Sequence, residues 1–194
     1  NEGSGTTIND KAGRNNSIWN GNANWQTAPD FPGSSRSVLQ FDGKTNYVQV
    51  PSNQQLNPDK FTISCWVKVE GGEGSYRSPL TSRNHNHIDN KRTGYILYAG
   101  DDNKWQVWVG VEKSQWKNII GPDVVLNTWT HISATYDGSK LKLYINGKLE
   151  GALATNYLLN TTSPLRIGAG LTEGNANYYF PGQIAEVRIW NIAL

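Results

Sequence analysis

The segment TWTHISATYDGSKLKLYINGKLEG, residues 128–151, carries the clearest local signals for backbone direction in the chain. Apolar and polar side chains alternate along residues 130–136 and again along 141–145, which is the period of a strand whose two faces meet different surroundings. Asp137-Gly138-Ser139 separates the two runs. Asn146-Gly147, the dipeptide that best tolerates the positive φ angles of a type I′ turn, follows the second run. Three antiparallel strands joined by two reversals are therefore predicted.

The same segment carries a resemblance to a known family. Its pattern W-T-H-x-x-A-T-Y-D-G-x-x-L-x-L-Y-x-N-G-K-L resembles the central hairpin of laminin-G-like, or concanavalin A-like, jelly-roll domains. Other stretches resemble that family's successive signature strands in order: LQFDG at 39–43, YVQV at 47–50, FTISCWVK at 61–68, LRIG at 165–168 and FPGQIAEVRIWN at 180–191. The resemblance implies an all-β jelly-roll sandwich of two antiparallel sheets. It implies a binding module more strongly than any one ligand.

Length and composition agree with a single domain over residues 1–194. All-β sandwiches run to roughly 200–250 residues as one domain. The 20 glycines, 8 tryptophans and 9 tyrosines supply many turns and an aromatic-bearing surface, which suits a sandwich better than a helical protein. The opening residues NEGSGT resemble the interior of the family's opening motif. The domain is therefore expected to be a piece of a longer protein.

Charge and cysteine content exclude several classes of function. The net charge of +2 comes from dispersed Lys and Arg without a basic run, so nucleic acid is not an expected partner. No apolar run approaches the roughly 20 residues of a membrane span, so no membrane insertion is expected. Cys65 is the only cysteine, which excludes an intrachain disulfide. Its place between Ile63 and Val67 indicates an inert core thiol.

The carboxylates do not form a recognisable catalytic pattern. Glycoside hydrolases of the resembled superfamily require two facing carboxylates on a concave sheet. None of the seven glutamates stands in the alternating Glu, Asp, Glu pattern that those enzymes have on one strand. A G-x-S-x-G nucleophile elbow is also absent. The sequence therefore favours a domain that is not an enzyme.

Aromatic side chains beside polar residues suggest a sugar site. Pyranose C–H faces stack on Trp or Tyr, while the hydroxyls need directional polar partners. Residues 71–94, 112–122 and 170–179 are predicted as polar loops that carry such side chains. On the strand at 105–110, alternation places Trp108 on the face opposite the core. The predicted ligand-binding residues are Tyr76, Arg77, Arg83, His85, His87, Asp89, Trp108, Trp116 and Tyr178.

The sequence contains two candidate metal sites. The run HNHID at residues 85–89 places two imidazoles and a carboxylate at alternate positions, but a solvated or sugar-contacting loop is preferred over a zinc site. The resemblance implies a structural calcium between the Phe-Asp-Gly turn and the closing strand, with Asp42 and Glu186 as ligands. Ala185 stands where the family often has a further carboxylate, so backbone carbonyls would have to complete that site.

The preferred hypothesis is a non-catalytic, lectin-like carbohydrate-binding module of an extracellular or surface protein. Its expected partners are a glycan or surface glycoprotein, together with other domains of a parent protein. The alternative is a protein-binding adhesion or interaction domain without sugar specificity, as laminin-G-like domains often are. A structural spacer without a ligand of its own also stays open.

Overall fold

The architecture consists almost wholly of strands. A computed structural model describes residues 4–13, 15–22, 24–86, 90–112 and 115–194. The only helical turn in these ranges is a 3-10 turn at Gln54–Leu56, and no helix there has the length and apolar character needed to cross a membrane. The strands are β1 (Thr7–Ile8), β2 (Ser17–Asn20), β3 (Trp25–Ala28), β4 (Arg36–Asp42), β5 (Tyr47–Val50), β6 (Phe61–Val69), β7 (Arg77–Asn86), β8 (Lys91–Ala99), β9 (Lys104–Val111), β10 (Gln115–Asp123), β11 (Trp129–Tyr136), β12 (Lys140–Ile145), β13 (Lys148–Ala154), β14 (Leu165–Ile167) and β15 (Pro181–Trp190).

Two antiparallel sheets pack face to face. The eight-stranded sheet has the order β1-β2-β5-β14-β7-β8-β9-β10, and the seven-stranded sheet has the order β13-β12-β11-β6-β15-β4-β3. Alternate residues of both sheets point inward and form one hydrophobic core, which includes Ile63 and Cys65 from β6 and Leu97 and Val107 from β8 and β9. Burial raises the pKa of the Cys65 thiol, as expected for an inert core cysteine. The predicted jelly-roll sandwich is confirmed.

The meander that was predicted from residues 128–151 is also confirmed. β11 pairs with β12, and β12 pairs with β13, all antiparallel. Asn146 and Gly147 adopt φ angles of 51° and 80°, as a type I′ turn requires. The Asn146 side chain strengthens the turn, because its Oδ1 accepts a hydrogen bond from the His131 amide at 2.8 Å.

Residues 71–94 do not form the predicted long loop. Most of this stretch lies in β7 and β8, which pair antiparallel. The alternation that marks a strand is hidden in β7, because some of its inward side chains are polar: the Ser82 hydroxyl, for example, donates to Asn57 Oδ1 at 2.7 Å. A buried polar side chain that finds its partner elsewhere in the fold looks the same in the sequence as a loop residue.

The predicted loop at residues 112–122 is also wrong over most of its length. β10 pairs with β9 and forms one edge of the eight-stranded sheet. An edge strand needs backbone partners on one side only, so it tolerates Pro122, which has no amide hydrogen to donate.

Candidate functional site

Four aromatic side chains meet on the outer face of the eight-stranded sheet. Tyr98 on β8 and Trp108 on β9 point outward, because their sequence neighbours point into the core. Tyr76, which precedes β7, has its ring centroid 4.9 Å from that of Tyr98 and 6.2 Å from that of Trp108. Tyr178 completes the group, with its ring centroid 5.8 Å from that of Tyr76. These four residues are termed the aromatic patch.

Exposure differs within the aromatic patch. Tyr98 lies at its base and is only 4% exposed. Tyr76, Trp108 and Tyr178 are half-buried, so each is packed on one side and presents part of its ring to solvent. Partly packed rings are well suited to stacking on a ligand, because they lose little conformational freedom when the ligand binds.

A chain of hydrogen bonds holds Trp108. Its Nε1 donates to Gln106 Oε1 at 2.7 Å, and Gln106 Nε2 donates to Asp102 Oδ1 at 2.8 Å. Gln106 is 2% exposed. Glycine is required at position 100 for close packing, because a Cβ there would lie 2.3 Å from Gln106 Nε2. The orientation of the indole ring is thus fixed by the protein before any ligand arrives.

Backbone contacts hold Tyr178 against β7. The Ser78 amide donates to the Tyr178 carbonyl at 3.0 Å, and the Gly170 amide donates to the Asn177 carbonyl at 2.8 Å. Tyr178 has φ 51°, a left-handed conformation that few bulky residues adopt. Strained backbone that the surrounding structure maintains is often found at functional sites.

Arg83 and Trp116, both predicted site residues, meet beside the aromatic patch. Arg83 Nη2 lies 2.5 Å from Glu173 Oε1. Its guanidinium carbon lies 5.1 Å from the ring centroid of Trp116. Burial raises the pKa of Tyr98, and the neighbouring Arg83 charge opposes that rise. The positive charge of Arg83 is therefore already engaged by an acidic and an aromatic partner.

An open cavity of about 450 Å³ adjoins the aromatic patch. Its size falls within the range of about 300–1,000 Å³ that is usual for small-molecule sites. Burial raises the pKa of the Tyr76 hydroxyl, and the charge of Asp101 raises it further. The lining combines tyrosine rings with polar groups and includes Ser75, Tyr76, Asp101, Asn177, Tyr178 and Tyr179.

Arg77, another predicted site residue, is buried beside the cavity. This side chain is only 1% exposed, although it belongs to the lining of the cavity. Its Nη1 donates to the Gly71 carbonyl at 2.9 Å, and its Nη2 donates to Asn103 Oδ1 at 2.9 Å and to the Gly100 carbonyl at 3.2 Å. Arg77 therefore ties together the loops on which Tyr76 and Asp102 lie.

His85 lies away from the aromatic patch. His85 is half-buried near the end of β7, nine residues from Tyr76, which is on the order of 30 Å along an extended strand. Its Nε2 lies 2.9 Å from Asn90 Oδ1. His87 and Asp89 lie outside the described residues. Across the ranges that the structure describes, three or more His, Cys, Asp or Glu side chains do not cluster as a metal site would require.

Asp42 and Glu186, the predicted calcium ligands, lie at different levels along β15. Asp42 pairs with Pro181 at one end of β15, and Glu186 lies five residues further along, on the order of 15 Å away. Burial opposes ionisation of Asp42, but hydrogen bonds from the Thr45 hydroxyl and from backbone amides outweigh it and lower its pKa to about 2. Glu186 sits at a β-bulge and pairs with Arg36 and Arg188. Each carboxylate thus has its own partners.

A family model described as the concanavalin A-like lectin/glucanases superfamily matches residues 42–194. The chain belongs to this superfamily. Human pappalysin-1 is 25% identical over 190 residues, which cover 86% of this chain. The match covers only 11% of pappalysin-1, so the chain spans about a tenth of the curated relative's length.

Solved structures share the superfamily fold. A sialidase carbohydrate-binding module, CBM40, from Ruminococcus gnavus, bound to α2,3-sialyllactose, has a TM-score of 0.62 at 17% identity, covering 73% of this chain and 80% of its own. Domain 4 of an extracellular arabinanase from Geobacillus stearothermophilus, in complex with arabinotriose, has a TM-score of 0.60 at 20% identity, covering 92% of this chain and 83% of its own. At these identities the likeness establishes the fold alone.

Sequence reasoning missed Tyr98, Gln106 and Asp101 as members of the site. Tyr95 and Tyr98 occur in one apolar run, but an odd spacing places their side chains on opposite faces of β8, so Tyr95 belongs to the core. Applying the same inward–outward alternation to β8 as to β9 would have placed Tyr98 on the outer face beside Gln106, its partner in the observed register. The position of Asp101 beside Tyr76 depends on tertiary contacts, which no local pattern indicates.

Proposed function

We propose that this domain is a non-catalytic carbohydrate-binding module that binds a glycan across the aromatic patch and the adjoining cavity. The observation that carries the proposal is the convergence of three half-exposed rings, those of Tyr76, Trp108 and Tyr178, on one sheet face. Such rings offer π-faces to the C–H faces of a sugar, while the cavity supplies polar groups for its hydroxyls.

The state of the nearby carboxylates supports a binding role over hydrolysis. Glycosidases need two facing carboxyl groups free to act as acid and as base or nucleophile. Beside the aromatic patch, Glu173 is paired with Arg83, and Asp102 holds Gln106. Asp101 interacts with the Tyr76 hydroxyl, so these three carboxylates do not form a facing pair that is free for catalysis.

The superfamily structures support the same proposal at a coarser level. Two of them, which share the fold of this chain, are modules bound to sialyllactose and to arabinotriose. One belongs to an extracellular enzyme. On this basis we place the domain in an extracellular or surface protein, with a glycan or surface glycoprotein as its partner and other domains of a longer chain beside it.

The test is a glycan-array screen of wild type, Tyr76→Ala and Tyr144→Ala. Tyr144 is a matched control, since it is also half-buried but projects from the outer face of the seven-stranded sheet. We expect wild type to bind at least one glycan class, Tyr76→Ala to bind it about tenfold more weakly, and Tyr144→Ala to match wild type.

The screen is run with calcium and again with chelator. Because the proposed site consists of aromatic rings and hydrogen-bonding groups, binding is expected to survive chelation. Silence toward all glycans in both conditions would overturn the proposal and favour the protein-interaction alternative. Equal losses in Tyr76→Ala and Tyr144→Ala would reject the location on the aromatic patch.

A further inference from the structure

The charged side chains around the aromatic patch differ in whether they already have a bonding partner. Asp101 lines the cavity, is exposed, and perturbs the Tyr76 hydroxyl through its charge. Asp102 is also exposed, with one oxygen engaged by Gln106. Glu73 and Lys44 are exposed on turns whose glycines, Gly72, Gly74 and Gly43, line the cavity. Asp101 is thus an exposed carboxylate that interacts with the Tyr76 hydroxyl, while Asp102 also interacts with the charge of Lys104.

The nearby guanidinium groups are engaged elsewhere. Arg83 is paired with Glu173, and the two side chains are only 11% and 16% exposed. Arg77 directs its donors to loop oxygens, as described above. Arg166 is buried and donates to Gln49 Oε1 at 3.1 Å and to the Leu171 and Gly174 carbonyls. Arg77 lines the cavity, but it is buried and both of its Nη groups donate to neutral loop oxygens, so they are not free to bind a carboxylate.

We propose that the site selects neutral glycans and discriminates against sugars that carry a carboxylate. This inference rests on the proposed function and names its ligand class. Recognition of a carboxylate depends on charge-assisted hydrogen bonds, usually from arginine. Here an acidic sugar would meet Asp101 instead, and like charges within several ångströms repel. The hydroxyls of a neutral sugar donate hydrogen bonds, which a carboxylate accepts readily.

The proposal separates this domain from a neighbour with the same fold. The CBM40 module is described in complex with sialyllactose, an acidic glycan. The arabinanase domain is described with arabinotriose, a neutral one. Because both share the fold with this chain at similar TM-scores, fold cannot choose between the two ligand classes, whereas the charges around the cavity can.

The test uses matched glycan pairs on one array: each neutral backbone, lactose and arabinotriose among them, printed with and without a terminal sialic or uronic acid. We expect wild type to bind neutral glycans, and to bind the acid-capped partner at least about tenfold more weakly at low salt. Raising the salt concentration should reduce this difference in affinity between neutral and acid-capped glycans, since salt screens the repulsion between exposed charges.

Asp101→Asn and Glu173→Gln test the assigned charges. Asp101→Asn removes the exposed carboxylate, and Glu173→Gln leaves Arg83 without its acidic partner. Each change should therefore reduce the ratio of neutral-glycan affinity to acidic-glycan affinity by about threefold or more. Asp30→Asn is the control, because Asp30 is an exposed carboxylate that pairs with Lys68 on the other sheet. It should leave the ratio unchanged.

The outcomes separate the two proposals. Preferred or equal binding of acid-capped glycans would overturn the selectivity and leave the carbohydrate-binding function standing. A ratio unchanged in both Asp101→Asn and Glu173→Gln would also overturn the electrostatic assignment. Absence of binding to every glycan would overturn the function itself, and the selectivity with it.

Discussion

The outer faces of the two sheets both carry large aromatic side chains, but only one of them is left open. On the seven-stranded sheet, Trp66 and Trp129 lie beneath Phe31, whose ring centroid is 5.6 Å and 4.9 Å from theirs. Phe31 is 6% exposed and Trp129 is 8% exposed. On the eight-stranded sheet, Trp108, Tyr76 and Tyr178 have no such cover within the described residues and stay half exposed.

The contacts on the covered face show how the chain shields aromatic rings from solvent. Arg36 lies over the Phe31 ring at 4.5 Å, and Lys68 lies over the Trp129 ring at 6.0 Å while its Nζ bonds Asp30 at 2.9 Å. Apolar packing and cation–π contacts are therefore supplied by the chain itself. On the open face similar rings remain available for a ligand. Aromatic content alone does not identify a site, whereas the absence of a covering segment does so far better.

The largest effect is expected from Trp129→Ala on the covered face. Truncating a buried tryptophan removes its packing and leaves a cavity, so the free energy of unfolding should fall by about 3–4 kcal/mol. Glycan affinity of the protein that remains folded should not change. Urea unfolding and calorimetric titration at 25 °C measure the two quantities. A loss of glycan affinity in the folded Trp129→Ala protein would contradict the claim that the covered face takes no part in binding.

Trp108→Ala on the open face should behave in the opposite way. Loss of a central stacking ring should weaken glycan binding by about 2 kcal/mol, or about thirtyfold. The free energy of unfolding should fall by only about 1 kcal/mol, because this side chain is already half exposed. The same two experiments apply. Unchanged affinity would mean that the ligand does not use this ring.

Gln106→Leu tests whether the open ring must be held in place. The change removes both the acceptor for Trp108 Nε1 and the donor to Asp102. Glycan affinity should fall about fivefold, equivalent to about 1 kcal/mol, and the Trp108 indole NMR signal should shift in the free protein. Gln40→Leu is the matched control: this half-buried glutamine bonds Glu70 beside the other sheet. If the two variants bind alike, Gln106 has no positioning role.

The smallest effect concerns Asp42, whose turn belongs to neither face. Asp42→Asn should lower the free energy of unfolding by about 1 kcal/mol at pH 7, since the ionised side chain accepts the bonds that close the turn. With a folded pKa of about 2, the stabilisation is present above the unfolded pKa of about 4 and is lost as pH falls between them. Urea unfolding at several pH values should show wild type and variant converging toward pH 2. A difference that is constant with pH would contradict this role.

Prediction from sequence succeeded where the structure depends on local backbone preferences and on the alternation of side chains along a strand. The type I′ turn at Asn146-Gly147 fixes the register of its hairpin by backbone preference alone, and alternation in β9 correctly turned Trp108 outward. It failed where a side chain's role depends on distant partners. Arg77 looked like a loop arginine that was free to bind, but its partners Gly100 and Asn103 come from another turn. The stretch predicted as a polar loop at residues 112–122 is mostly the edge strand β10, which depends on its pairing with β9.

The central claim is that the open aromatic face, and not the covered one, receives the ligand. The most direct measurement is a titration of uniformly ¹⁵N-labelled protein with the best-binding glycan from the array, followed at the indole Nε1–H signals of its tryptophans. The account predicts that the Trp108 signal shifts along the binding isotherm while the Trp129 signal stays in place. A shift at Trp129 with a static Trp108 signal would contradict it.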